Sequence, residues 1–383
     1  MQTDPLAAVP SIPGREGISG PGHASAIFAR KNILKESFGP SVQAYKTYGY
    51  NTKKCVRITA DIMGTGKADL VSFRPDGVWN AINNDDGTFQ PSNLVLGDFG
   101  YSQGWRIDKH SRFVVDITGD GRADILGFGD AGVLISLNRG NGTFKSQGLA
   151  LADFGCHAGG WRNDSHLLFL ADANNDGLVD IYGFGDGSVF VSINNLLVDG
   201  TFKPPIAVIN NFGYKQGWRT DMHPRFVADL TGDGTGDIIG FGYAGVYVAI
   251  NDNQGNFSPA KRVLPFFGCN VDAGGWHVDR HLRMVADMTG NGRGDIVGFG
   301  DKGVSISINK GDGTFGSPRL VLPCFGYNDN AGAWRVDQHP RFLADLSGDG
   351  RCDVIGFCDD GVYVSINNGG GNFGLVHKII ISL

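Results

Sequence analysis

A short motif of aromatic, cationic, acidic and imidazole side chains recurs five times along the chain. It reads Trp-Arg-x-Asp-x-His, with His in place of Arg in one copy. The copies are Trp105, Arg106, Asp108, His110; Trp161, Arg162, Asp164, His166; Trp218, Arg219, Asp221, His223; Trp276, His277, Asp279, His281; and Trp334, Arg335, Asp337, His339. An aromatic ring can cover the apolar C–H face of a sugar, and charged groups form the stronger hydrogen bonds to hydroxyls. These residue types therefore favour a saccharide-binding site.

The same residues are also compatible with a structural role. An Asp–His–Arg network can lock neighbouring elements together, and a Trp can pack at the seam between them. If the segment is extended, alternate residues face the same way, so Arg106, Asp108 and His110 share a polar row with Arg112, opposite Trp105. The residue types leave both roles open. Further acceptors are predicted in the nearby GFxD turns, at Asp130, Asp186, Asp301 and Asp359.

A second group of carboxylates follows each Trp motif by about ten residues. Oxygen-bearing residues lie at positions 1, 3, 5 and 9 around a Gly, a spacing that resembles the start of a calcium-binding loop. The candidate ligands are Asp116, Asp120, Asp124; Asp172, Asn174, Asp176, Asp180; Asp229, Asp233, Asp237; and Asp345, Asp349, Asp353. Position 3 is Thr, Ser or Asn, which lowers the charge, and Asp also stabilises turns through its own backbone. We expect no required cofactor, with calcium as the alternative.

The elements that position these groups are repeats. The tryptophans of the motif recur every 56 to 58 residues, and a degenerate first copy has Tyr50 at that place. In the second unit, alternating and apolar runs predict four strands over Arg112–Ile117, Ile125–Phe128, Val133–Asn138 and Leu149–Phe154, separated by Gly-, Asn- and Asp-rich turns. Four strands per repeat of this length predict an all-β fold, a six-bladed β-propeller of four-stranded antiparallel blades. A solenoid would use shorter repeats.

The six repeats fill a single domain, residues 1–383. Their approximate bounds are 42–97, 98–152, 153–209, 210–265, 266–323 and 324–383, after an N-terminal extension over 1–41. Two segments compete for the fourth strand of the last blade, Leu375–Leu383 and Ala29–Gly39. In an up-and-down blade, alternate turns point to opposite faces. The Trp connectors and GFxD turns should therefore lie together on one face, and the Asp-rich loops on the other.

Composition narrows the function classes. Gly accounts for 60 of the 383 residues, against a usual share of roughly 7%, and implies many tight turns. A net charge of −6 without Lys/Arg runs argues against nucleic acid or an anionic membrane as a partner, and no apolar run is long enough to span a bilayer. The six scattered Cys predict free thiols in a reducing compartment. No signal peptide is evident, so we expect a cytoplasmic protein or one released without such a peptide.

Repetition itself bears on function. Catalytic groups normally occur once per domain, whereas every candidate group here recurs about five times, and no recognised catalytic motif is present. We therefore expect a binding protein rather than an enzyme. The alternative is an integrin-like propeller scaffold for protein–protein interaction. Near-identical connectors favour one small ligand bound many times.

The repeat resembles a known family. Its consensus, FGYxxGWRxDxHxRFVADLTGDGxxDIxGFGxxGVYVxxNxGxGTF, recurs over residues 98–374 and is similar to FG-GAP/VCBS-type repeats, most closely those of fungal propeller lectins. The resemblance implies multivalent binding of terminal non-reducing N-acetylglucosamine, on glycans and glycoproteins, in shallow pockets between adjacent blades of a monomer. Sialic acid binding and calcium in the Asp-rich loops also occur in the family. Unit one lacks the motif, His277 replaces Arg and Pro75 replaces a turn Asp, so we expect four or five working pockets.

Overall fold

Twenty-four strands build six separate sheets in the computed structural model, which describes residues 55–86, 88–195 and 200–379. Each sheet has four antiparallel strands in sequence order. The protein is a six-bladed β-propeller, as the repeats predicted. In these described ranges no helix is long and apolar enough to cross a membrane.

Each blade is one continuous stretch of chain. Blade 1 comprises β1 (Val56–Ala60), β2 (Asp69–Arg74), β3 (Gly77–Ala81) and β4 (Asn93–Leu96). Blade 2 comprises β5 (Arg112–Val115), β6 (Asp124–Phe128), β7 (Val133–Ser136) and β8 (Gly148–Leu151). Blade 3 comprises β9 (Leu167–Ala171), β10 (Asp180–Phe184), β11 (Val189–Ser192) and β12 (Ile206–Ile209). The four strands predicted in the second unit are confirmed to within a few residues.

The remaining blades repeat this plan. Blade 4 comprises β13 (Arg225–Ala228), β14 (Asp237–Gly242), β15 (Gly245–Ala249) and β16 (Lys261–Leu264). Blade 5 comprises β17 (Leu282–Ala286), β18 (Asp295–Gly300), β19 (Gly303–Ser307) and β20 (Arg319–Leu322). Blade 6 comprises β21 (Arg341–Ala344), β22 (Asp353–Cys358), β23 (Gly361–Ser365) and β24 (His377–Ile379). Short 3-10 turns occur in four connectors, at Tyr101–Gln103, Tyr214–Gln216, Val271–Ala273 and Asp329–Ala331.

The C-terminal strand completes the last blade. β24 pairs antiparallel with β23, which places one of the two predicted candidates in the fourth position. The other candidate, Ala29–Gly39, lies outside the described residues, as do the 1–41 extension and Tyr50. Every described blade therefore takes all four strands from its own repeat.

Burial explains the strand sequences. The second strands β6, β10, β14 and β18 are buried along their whole length, because each sheet packs face to face with its neighbours. The fourth strands lie at the outer rim, where residues such as Leu149 and Ile206 are exposed. The core is consequently a series of apolar layers between blades rather than one central cluster.

On the face that carries the Asp-rich loops, a buried carboxylate and an amide join neighbouring blades. Asp124 accepts the backbone N–H groups of Ile117 at 3.1 Å and Asn138 at 2.7 Å, and Asn138 donates through Nδ2 to the Ile62 carbonyl of blade 1 at 2.8 Å. The same amide donation joins the next four pairs of blades, through Asn194, Asn251, Asn309 and Asn367. Asp124, at position 9 of the loop, therefore holds the turn together. It also positions Asn138, whose side-chain amide donates to the preceding blade.

On the opposite face, aromatic rings pack together in the five connectors of the described residues. Phe99 leaves blade 1 with a left-handed φ of 58°, and its ring packs 4.8 Å from that of Trp105. The Phe of the FG pair has this conformation in all five connectors, at Phe99, Phe154, Phe212, Phe267 and Phe325. Such a φ is strained for an aromatic residue and persists because the surroundings fix it. One fixing contact is Asp98, whose Oδ1 accepts the Phe99 N–H at 2.7 Å.

We predict that Gly127→Ala destabilises the ring, because Gly127 lies against the indole of Trp105. A Cβ there would lie 2.4 Å from the indole carbon Cη2 and 2.9 Å from the Phe99 ring. We expect the free energy of unfolding to fall by roughly 1–3 kcal/mol, as for overpacked cores. The matched control is Gly148→Ala in β8, where no heavy atom lies within 4 Å. Urea denaturation of both variants checks this, and equal midpoints would contradict the packing assigned to Trp105.

Candidate functional site

The connector that carries the Trp motif is a tight turn. His110 N–H donates to the Arg106 carbonyl at 2.8 Å, and the same bond closes the other four connectors. The extended polar row expected from the sequence is therefore wrong. Arg112, assigned to that row, is buried in β5 and donates to the Phe99 carbonyl at 2.9 Å.

The turn separates the four motif residues by exposure. The carboxylates project into solvent in all five connectors, at Asp108, Asp164, Asp221, Asp279 and Asp337. The residues after Trp are half-buried or exposed, at Arg106, Arg162, Arg219, His277 and Arg335. The imidazoles are buried, at His110, His166, His223, His281 and His339. An approaching ligand therefore meets the Asp and Arg positions first.

The tryptophans are packing residues in this structure. Trp105, Trp161, Trp218 and Trp334 are 3% to 9% exposed, and Trp276 is partly buried. The Trp218 ring packs 5.0 Å from that of Phe212, and its Nε1 donates to Asn211 Oδ1 at 3.1 Å. Of the two roles that the sequence left open, seam packing thus accounts for most of the indole surface.

The imidazoles are held in one orientation and one tautomer. His110 Nδ1 accepts the backbone N–H of Arg106 at 3.2 Å, so the ring hydrogen is on Nε2, which faces Asp130 Oδ1 at 3.1 Å. The same Nδ1 contact recurs in the other four connectors. Burial lowers the pKa of His110 below its usual value, and that of His223 to about 4, which keeps both rings neutral at pH 7.

The GFxD carboxylates lie beside the connectors, as the face assignment predicted. Asp130, Asp186 and Asp301 each accept from the His of their own blade, at 2.9 to 3.1 Å. The His166 hydrogen bond lowers the pKa of Asp186. At blade 4 the position is Tyr243, and there His223 Nε2 lies 3.4 Å from Cys269 Sγ.

Sequence reasoning missed an aromatic residue that accompanies the Arg in three connectors. The Arg219 guanidinium carbon lies 3.7 Å from the centre of the Tyr214 ring, and Nη1 donates to the Tyr214 carbonyl at 2.6 Å. Arg106 lies on Tyr101 and Arg335 on Tyr327 in the same way, at 3.8 and 4.0 Å. The available signal was FGY in these three connectors, where the other two read FGC. Stacking orients the guanidinium before any ligand arrives.

A small cleft opens between blades 2 and 3 on this face. It is lined from blade 2 by Lys109 and Gly129, and from blade 3 by Cys156, Trp161, Arg162 and Asn163. The predicted site residues of one connector thus meet the turn of the preceding blade. The cleft lies at a junction between adjacent blades, and its use as a sugar site stays a prediction.

The same cleft brings together a set of metal-ligating atoms. In the described residues, one set of His, Cys, Asp or Glu ligand atoms lies mutually within 4.8 Å, and it comprises His110, Asp130 and Cys156. His110 Nδ1 accepts the Arg106 N–H, so the ring carries its hydrogen on Nε2. Nε2 therefore has no free lone pair to offer a metal ion. The Lys109 ammonium also lies 2.5 Å from Asp130. The set therefore does not suit a cation, and Asp130 serves as a shared hydrogen-bond acceptor.

The Asp-rich loops use their carboxylates internally. Asp116 accepts three backbone N–H groups of its own loop at 2.7 to 3.2 Å, and both oxygens of Asp124 accept buried N–H groups. Burial raises the pKa of Asp124 to about 6 and that of Asp180 to about 7, which reduces the negative charge available to a cation. A calcium ion takes six to eight oxygens, and the Asp116 and Asp124 oxygens already accept N–H groups. Calcium in these loops, the alternative that the sequence offers, is untested.

The chain is similar to known proteins in sequence and in fold. A family model described as FG-GAP-like repeat matches residues 116–182. A solved lectin from Agrocybe aegerita, described as specifically recognising non-reducing terminal N-acetylglucosamine, is 51% identical over 86% of this chain and 81% of that chain, with a TM-score of 0.82. The chain belongs to this family of propeller lectins.

A more distant likeness shows the fold alone. The present chain is 18% identical to the Photorhabdus luminescens Tc holotoxin pore, with a TM-score of 0.53, over 82% of this chain and 13% of that chain. No curated protein gives a significant match. Family membership thus depends on the Agrocybe aegerita structure and on the repeat consensus.

We predict that calcium does not stabilise this lectin, because the loop carboxylates are already satisfied by N–H groups. The melting temperature should be the same in excess calcium and in excess EGTA, within the error of a calorimetric scan. A calcium-dependent rise that disappears in Asp116→Asn would instead assign the ion to that loop. Asp86→Asn, which changes an exposed carboxylate outside these loops, is the control.

Proposed function

We propose that the chain is a multivalent lectin that binds terminal non-reducing N-acetylglucosamine in clefts between adjacent blades, on the connector face. The observation that carries the proposal is the 51% identity to a lectin described as recognising that sugar. The geometry supports it independently, since an exposed Asp and a half-buried or exposed Arg or His recur in each of five connectors between blades.

The chemistry follows from what remains accessible. An exposed carboxylate such as Asp221 can accept hydrogen bonds from two sugar hydroxyls, which suits a vicinal diol. The Arg219 guanidinium, held on Tyr214, can donate to a hydroxyl or to an acetamido carbonyl. Charge-assisted bonds of this kind contribute about 1.5–3 kcal/mol each. The buried Trp218 and His223 hold the turn that presents both groups.

Several weak sugar sites on one chain can together give high avidity. A shallow sugar site with a Kd near 1 mM corresponds to about −4 kcal/mol. Several such sites on one rigid ring can raise avidity by a factor of about 10² to 10⁴ on a clustered glycan surface. We therefore propose a non-enzymatic monomer that crosslinks glycans and glycoproteins through several pockets.

The junctions differ in composition, so their pockets are unequal. At blade 4 the turn carboxylate is replaced by Tyr243, and His277 stands where the following connector should have Arg. In blade 1, Pro75 occupies the turn position. We propose four or five working pockets, as expected from the sequence, with those on either side of blade 3 retaining the turn carboxylate.

We predict that Arg219→Ala and Asp221→Ala each reduce the number of N-acetylglucosamine sites by one without unfolding the ring, because both side chains lie at the surface. Calorimetric titration gives the site number and a thermal melt gives the stability. Asp312→Ala removes an exposed carboxylate from a turn on the other face and is the control. An unchanged site number in both connector variants would place the sugar elsewhere. Trp218→Ala is less informative, since loss of a core Trp costs roughly 3–5 kcal/mol.

A glycan array tests the ligand class. We expect binding to glycans that end in N-acetylglucosamine, with loss of the signal when the free sugar is added in excess. A folded protein that binds no glycan would favour the integrin-like scaffold over the lectin.

A further inference from the structure

Another cleft lies between blades 4 and 5, on the face opposite the Trp connectors. Its volume is about 510 Å³, within the roughly 300–1,000 Å³ that is typical of small-molecule sites. It is lined from blade 4 by Val248, Ile250, Lys261 and Val263, and from blade 5 by Asp312 and Thr314, in the turn between β19 and β20. We call it the rim cleft, because β16, which carries Lys261 and Val263, is the outer strand of blade 4.

One face of the blade 4 sheet forms the floor of the rim cleft. Val248 and Ile250 are alternate residues of one extended segment, and Lys261 and Val263 are alternate residues of β16, so each pair faces one side of the sheet. Lys261 pairs with Val248 across the two strands. The floor is therefore a surface of three branched apolar side chains with one lysine beside it.

The corresponding space at the next junction of the ring is bridged by a side chain. Arg319 has the register position in blade 5 that Lys261 has in blade 4. Its guanidinium crosses to blade 6, where it donates to Asn372 Oδ1 at 3.0 Å and to the Gly370 carbonyl at 2.9 Å. Arg319 thus ties the two blades together at the place where the rim cleft opens between blades 4 and 5.

Lys261 makes no such bridge. Its side chain is exposed, and within the described ranges its ammonium has neither a hydrogen-bond acceptor nor a carboxylate partner. The carboxylate across the cleft is satisfied by its own turn, since Asp312 Oδ1 accepts the Thr314 N–H at 2.9 Å and the Thr314 hydroxyl at 2.6 Å. The rim cleft therefore combines an apolar floor with one cation that lacks a counter-ion.

We propose that the rim cleft binds an amphipathic carboxylate, an alkyl chain that ends in one carboxyl group. The chain lies on the floor of blade 4, where branched side chains gain free energy from being covered by methylenes. The carboxylate accepts charge-assisted hydrogen bonds from the Lys261 ammonium. This site does not depend on the proposed sugar sites, because those lie on the connector face.

Calorimetric titration of the full chain with octanoate tests the site. We expect one site per chain, an affinity for hexanoate that is lower by about ten-fold because two methylenes fewer are buried, and no measurable binding of acetate. 1-Octanol has the chain without the charge and should bind roughly two- to five-fold more weakly than octanoate, the range of an exposed ion pair. An excess of N-acetylglucosamine should leave the octanoate affinity unchanged.

Variants locate the head group and the chain. Lys261→Glu should lower the octanoate affinity by about ten-fold and should introduce binding of octylamine, because the charge at the cleft is reversed. Val263→Ser should weaken octanoate and 1-octanol alike, since it removes part of the apolar floor. The matched control is Lys310→Glu, which makes the same charge change at an exposed position outside the cleft lining and should leave the affinity for octanoate unchanged. Lys261 is exposed, so a thermal melt of Lys261→Glu should match that of the native chain.

The outcomes separate this inference from the proposed function. Absence of saturable octanoate binding, or several equal sites per chain, would overturn the rim cleft and leave the lectin intact. An octanoate affinity that is the same in Lys261→Glu as in the native chain would also overturn it, as would displacement of octanoate by N-acetylglucosamine. Titration with the sugar alone measures the proposed function, and its failure would leave the octanoate site standing.

Discussion

Neighbouring blades share no strand, so side chains that cross each junction must hold the ring together. On one face, the buried Asp of each loop aligns an Asn that donates to the preceding blade, as Asp124 and Asn138 do. On the other face, a Phe in a left-handed conformation packs against the Trp of the same connector. The two contacts set the spacing and angle of the blades.

The connector face depends on this packing in a second way. The Trp218 ring packs against the Gly240 backbone and makes an edge contact with His223. The turn from Arg219 to His223 is therefore packed against the core of the blade. The Nδ1 contact then fixes the imidazole, and the imidazole orients the turn carboxylate where one is present. Burial of the motif's two aromatic members is thus what allows its two charged members to face solvent in a defined arrangement.

The repeat period and the alternation of apolar residues were enough to predict six blades and the four strands of each. They also placed the Trp connectors and the GFxD turns on one face, because strand order decides which turns lie together. The turn from Arg106 to His110 was not predictable in this way, since its polar residues have no periodicity that separates a turn from an extended segment. Nor could the sequence choose between a buried and an open Trp105. Gly127, in β6 and distant from the motif in sequence, makes the space that the ring of Trp105 fills.

The roles of the Asp residues in the loops were harder to predict from the sequence. Asp116 and Asp124 have the spacing of ion ligands, yet the same spacing lets them accept N–H groups from a tight loop and from the end of the third strand. Only the fold shows which partner each oxygen meets. Because every blade is completed before the chain enters the next, a whole repeat can be gained or lost without exchanging a single strand. During synthesis of the chain the blades can likewise form in order. One side of the first blade then stays uncovered until the sixth blade has formed.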